Sequence, residues 1–139
     1  MEKEFVPYEL AVKLKELGFD EPCMAVYFGN GLNELFTFNP SIAKENTERM
    51  VELGHIPCPT FSQAFRWFRE KYRMFHEVFI DTEPTVDNPD KLEFTYLILH
   101  MVGIEKMHTS RNKRFETYED AELDCLIKLI EIVENEKTL

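Results

Sequence analysis

The segment Thr60–Arg73, TFSQAFRWFREKYR, constrains the fold more than any other stretch of this chain. Thr60 followed three residues later by Gln63 has the form of a capping box, which closes two orphan amides at a helix start. Phe61, Ala64, Phe65, Phe68 and Tyr72 then recur at helical period on one narrow face. Aromatic side chains on such a face bury roughly 150–250 Å² each. The segment therefore predicts a core helix over 60–73.

The same helix carries a charge anomaly. The chain has 139 residues and a formal net charge of −10, yet residues 59–73 hold four bases and one acid. Helical projection places Arg66, Arg69 and Arg73 on one stripe off the buried face, with Trp67 and Lys71 on the opposite flank. Glu70 lies nearer the arginines and can partly neutralise them. Two readings stand. In one, the stripe is a solvated face answering acids elsewhere, as surface pairs commonly do. In the other, it is a surface for an anionic small molecule, a nucleic acid or an acidic partner, using the planar guanidinium fork.

A second basic island, Arg111, Lys113 and Arg114, is a candidate to join the first. The overall acidity argues against a protein that coats nucleic acid, whose affinity comes mostly from neutralising phosphates. It permits plain solubility, or mimicry of a polyanion that meets a basic protein.

The rest of the chain reads as alternating helices and hairpins. Leu10, Ala11, Leu14 and Leu17 predict a helix over 8–17, opened by Pro7 and stopped by Gly18, with Phe19 folding back on Leu14. Cys23–Phe28 and Leu35–Phe38 are strand-like and joined through Gly29-Asn30-Gly31. Residues 39–59 read as irregular with one short helix, which Ser41 or Thr47 would cap. Phe75–Asp81 and Leu92–Met101 predict two strands about an acidic, turn-rich loop. The second is apolar on nearly every residue, as for a central strand covered on much of both faces. Ser110–Arg114 reads as a connector. Thr117 and Asp120 open a last helix over 117–134, with residues 134–139 expected to fray.

Three blocks, FVPYELAVKLKELGFDEPC, PTFSQAFRWFREKY and TYEDAELDCLIKLIEIV, resemble a group of small uncharacterised proteins of Bacteroides-type gut bacteria, their prophages and phages. The blocks cover a little over a third of the chain. The resemblance implies a phage or mobile-element context. It brings no activity, ligand or catalytic residue.

Catalytic chemistry finds little footing. His55 and Cys58 form one H-x-x-C pair, whereas a zinc site needs four clustered ligands, so no metal is expected. His100 in its apolar strand reads as a hydrogen-bonded core histidine. Cys23, Cys58 and Cys125 are odd in number and set among apolar residues, as buried free thiols of a reducing compartment are. The acids Glu83, Asp87 and Asp90 lie in a loop, where no fixed separation for acid–base work is held. With no apolar run of membrane length and no leader-like N-terminus, the expected location is the cytoplasm, away from membranes.

The resulting expectation is a single α+β domain over 1–139: about four antiparallel strands, three main helices, order α-β-β-α-β-β-α. The expected function is non-catalytic binding without a cofactor, by a phage or mobile-element accessory protein. A host or phage protein is the expected partner. The alternative is an anionic small molecule or nucleic acid held by Arg66, Arg69, Arg73, Lys113 and Arg114.

Overall fold

The computed structural model describes residues 2–29, 33–110 and 113–137. The chain divides into two compact units, residues 1–64 and 65–139. The first unit holds helices α1 (Tyr8–Glu16) and α2 (Ala43–Glu52) and strands β1 (Ala25–Tyr27), β2 (Leu35–Thr37) and β3 (Ile56–Cys58). Its antiparallel sheet has the order β2-β1-β3.

Helix α1 ends as its sequence predicts. The N–H groups of Phe19 and Gly18 donate to the carbonyls of Leu14 and Lys15, at 2.9 and 3.0 Å, with Gly18 at φ 103°. That is the paired bonding of a Schellman stop, and it needs a residue free to adopt positive φ. Pro7 stands one position earlier than expected, as the N-cap whose carbonyl accepts from Ala11 at 2.9 Å.

Residues 39–59 are more ordered than expected. Neither Ser41 nor Thr47 is a cap. Asn39 caps a 3-10 turn over Pro40–Ile42, accepting from the Ser41 N–H at 3.0 Å, and α2 follows directly. Thr47 is buried mid-helix. Its hydroxyl accepts from the Cys23 N–H at 2.9 Å and donates toward the carbonyl of Ala43, at 2.6 Å. Pro57, opposite Val26, lies inside β3. A ring without an N–H is tolerated there because β3 is an edge strand.

Helix α3 (Phe61–Tyr72) begins in the first unit and continues into the second, which also holds β4 (Met74–Thr82), β5 (Glu93–Val102), β6 (Glu105–Ser110) and α4 (Tyr118–Lys137). Phe61, Ala64, Phe65 and Phe68 are buried as predicted. The capping box is half formed. Thr60 Oγ1 accepts from the Gln63 N–H at 3.2 Å, but the Gln63 amide donates to the Pro22 carbonyl at 2.7 Å instead of turning back.

Strands β4, β5 and β6 form an antiparallel meander in that order. Val102 pairs with Glu105 across Gly103-Ile104, and Gly103 takes φ 62° at this two-residue turn. Helix α4 packs on β4 and β5. Thr117 Oγ1 caps it by accepting from the Asp120 N–H at 3.1 Å. The helix is described to Lys137, residues 138 and 139 of the stretch expected to fray lie outside the described residues, and Glu136 Oε1 lies 3.5 Å from Nδ1 of buried His100.

The α+β class stands, but the finer expectation is corrected: among the described residues two three-stranded antiparallel sheets replace one four-stranded sheet, and four α-helices stand against the three main ones expected. Helix α2 answers to the short helix expected within 39–59, and β3 and β6 are the added elements. No described helix is long and apolar enough to cross a membrane.

Candidate binding surface

Arg66 is exposed and Arg69 half-buried on α3. Arg73 follows the last helical residue at φ 54°, in the left-handed region, while its N–H still donates to the Arg69 carbonyl at 3.1 Å. It is therefore the turn that ends α3, and its side chain leaves the helical phase of the other two. Trp67, on the flank opposite the arginines, is only 5% exposed and sits edge-on to Phe68 and Tyr72.

The second island is engaged elsewhere. Arg114 Nε lies 2.5 Å from Asp81 Oδ2, and the Lys113 ammonium stands 5.2 Å from the centre of the Phe115 ring. Arg111 lies outside the described residues. Arg73 immediately precedes β4, whereas Asp81 lies near the far end of that strand. At ~3.3 Å per residue the two basic islands are separated along β4 by roughly 25 Å. They do not converge on one small ligand. A recess of about 360 Å³ beside Lys113 and Arg114 is also lined by Glu116, Asp120 and Asp124, so its acids outnumber its bases.

The surface that sequence reasoning missed is the open face of β4–β5–β6. Strand pairing places Met74, His76 and Val78 on one face with His100, Ile98 and Tyr96. Phe65 stacks on His76 from that side, and the three β5 residues are buried. The opposite face carries Phe75, Glu77 and Phe79, paired with Leu99, Leu97 and Thr95. Phe75 is 41% and Phe79 38% exposed, while Leu97, Leu99 and Met101 are half-buried. The expectation that β5 is covered on much of both faces is thus met on one face only. Covering either phenylalanine fully would gain about 2 kcal/mol at ~25 cal/mol per Å² of apolar surface. The signal was present in the period-two alternation of FHEVF, but alternation cannot say which of two apolar faces receives the helices.

The first unit has its own recess, of about 650 Å³, in the size range of small-molecule sites. Lys15, Phe19, Lys44, Glu48, Val51 and Pro57 contribute to its walls. Charges of both signs line it. It escaped notice because α2 was only partly legible.

The thiols are placed for packing. Burial pushes the Cys58 thiol up to about 12 and raises Cys23 and Cys125 as well. Cys58 Sγ donates to the Val6 carbonyl at 3.2 Å, while His55 Nδ1 accepts from the Gly29 N–H at 3.1 Å. The H-x-x-C pair thus serves two separate contacts. Among the described residues no group of three or more His, Cys, Asp or Glu is placed to hold a metal. No known protein family, curated protein or solved structure matches the chain.

Proposed function

We propose that the chain is a non-catalytic binding protein, an accessory of a phage or mobile element acting in the cytoplasm of its bacterial host. It docks another protein on the open face of β4–β5–β6. The observation that carries this reading is the pair Phe75 and Phe79, both more than a third exposed on one strand beside half-buried Leu97, Leu99 and Met101. Exposed apolar clusters of this kind mark protein contacts more often than sites for charged ligands. Thiols held protonated by burial supply no reactive nucleophile to an enzyme reading.

A second reading, an anionic small molecule or nucleic acid on Arg66 and Arg69, is favoured by one observation. Arg66 is exposed and Arg69 half-buried on one face of α3, where two guanidinium groups can meet an anion. The two readings separate in one experiment. Affinity capture from host lysate is run with the native chain, a Phe75→Ser/Phe79→Ser variant and an Arg66→Glu/Arg69→Glu/Arg73→Glu variant. Protein docking on the sheet requires that the serine variant lose the captured partner and the glutamate variant keep it. The reverse pattern selects the anionic ligand.

A further inference from the structure

We propose that the outer edge of β4 receives an extended segment of the partner as a fourth, antiparallel strand, and that this segment carries a basic residue with apolar residues two positions to either side. The proposal rests on the reading of this sheet as a protein-docking surface and specifies how the docking works.

The direction of the backbone groups follows from parity. The Arg73 carbonyl accepts from the Met101 N–H at 3.1 Å, so the odd-numbered residues of β4 turn their backbone toward β5. On the other side of β5, Phe94 and Phe115 exchange two bonds at 2.8 Å, which fits the same alternation. The N–H and C=O groups of Met74, His76, Val78 and Ile80 therefore point along the sheet plane, away from β5. Among the described residues these groups have no hydrogen-bond partner, and His76, Val78 and Ile80 keep part of their surface exposed, whereas Met74 is buried and closes the start of the edge.

Natural edge strands are usually blunted by proline, lysine, a bulge or shortness. Over Met74–Ile80, β4 contains neither proline nor lysine, and its pairing shifts register only after Ile80. This regular stretch spans roughly 20 Å, enough for a ladder of alternating bonds. It offers the main-chain template that strand addition uses, with side-chain pockets alternating along it.

The side chains specify the occupant. Phe75, Glu77 and Phe79 stand in a row on the open face. Residues of an added strand would face them at about 4.5–5.5 Å between Cβ atoms, where opposite charges and apolar pairs stabilise and like charges do not. Complementarity thus calls for an apolar–basic–apolar alternation. A second copy of this chain fits poorly. Antiparallel pairing about Glu77 sets two Glu77 carboxylates against each other, the neighbouring registers set Glu77 against phenylalanine, and a charge of −10 on each chain adds repulsion.

The test uses the full chain, labelled with nitrogen-15, and the end-blocked heptapeptide Thr-Val-Thr-Lys-Thr-Val-Thr at millimolar concentration. Its valines and lysine fall opposite Phe79, Glu77 and Phe75, and its threonines face the other way. The peptide should slow amide exchange at His76, Val78 and Ile80 at least tenfold and leave the odd-numbered β4 amides unchanged. Replacing the lysine by glutamate, or N-methylating the two threonines beside it, should weaken binding at least tenfold. Strand addition is overturned if those three amides gain no protection, or if the lysine and glutamate peptides bind alike. It is equally overturned if the free chain sediments as a dimer with the three amides already protected. Loss of the natural partner by the Phe75→Ser/Phe79→Ser variant, with the edge unprotected by the peptide, would leave docking on the face intact and remove the added strand. An edge protected by the peptide, with the partner retained by that variant, would instead remove the docking reading.

Discussion

The Phe65 ring lies flat on the His76 imidazole, centroids 3.7 Å apart and planes within 13°. Burial there, aided by the Arg69 charge, lowers the His76 pKa from 6.5 to about 4. The unfolded chain therefore binds a proton between these values that the folded chain refuses, and stability falls as pH drops through that window. After allowance for partial solvent screening the loss is about 1–2 kcal/mol. Urea unfolding at pH 7 and pH 4.5 should show the native chain losing that much more than His76→Leu. Equal losses would mean that His76 titrates normally.

Thr47 ties α2 to the segment entering β1 through one hydroxyl. Thr47→Val keeps the shape and leaves the buried Cys23 N–H without its acceptor, at a cost of about 1–3 kcal/mol. Thr47→Ser, which restores the oxygen, should recover most of it. Chemical denaturation of the three proteins measures both steps.

Arg73 occupies a left-handed position where glycine carries no Cβ penalty. Arg73→Gly should raise stability by about 1 kcal/mol, and Arg73→Val should lower it by at least as much. A thermal melt that ranks valine above glycine would contradict this account of the α3 terminus.

The three cysteines are free and buried. With the Cys58 thiol pushed up to about 12 and its two counterparts also raised, almost no thiolate exists at pH 8. Iodoacetamide should leave the folded chain unmodified over an hour and alkylate every cysteine in denaturant, as read by mass spectrometry. Rapid labelling of the folded chain would place a thiol at the surface.

Helices α1, α3 and α4 were legible because each carries its own start signal and an apolar stripe at helical period. Gly18, Thr60 and Thr117 act on neighbours within five residues, so their bonds are written locally. The β1–β2 pairing was legible for the same reason, although residues 30–32 of its turn lie outside the described part. What escaped notice was stabilised at a distance. Thr47 looked like a helix cap because its partner, Cys23, is 24 residues away. Strand β3 contains Pro57, a poor strand residue that only an edge position accommodates. Strand β6, Glu105–Ser110, is polar at every position but Met107, and its pairing with β5 supplies what its composition does not.

The candidate surface divides along the same line. Sequence alone determined that Phe75, Glu77 and Phe79 share one face of a strand, since side chains alternate with a period of two. It also determined that Arg66 and Arg69 share a helix face. Tertiary structure decided the rest. Packing α3 and α4 on the His76 side left the phenylalanine side open, and the order β4-β5-β6 left β4 at the edge. Local periodicity specifies which residues lie together on an element. Which face is then buried, and which edge remains unpaired, depends on contacts between segments far apart in the chain.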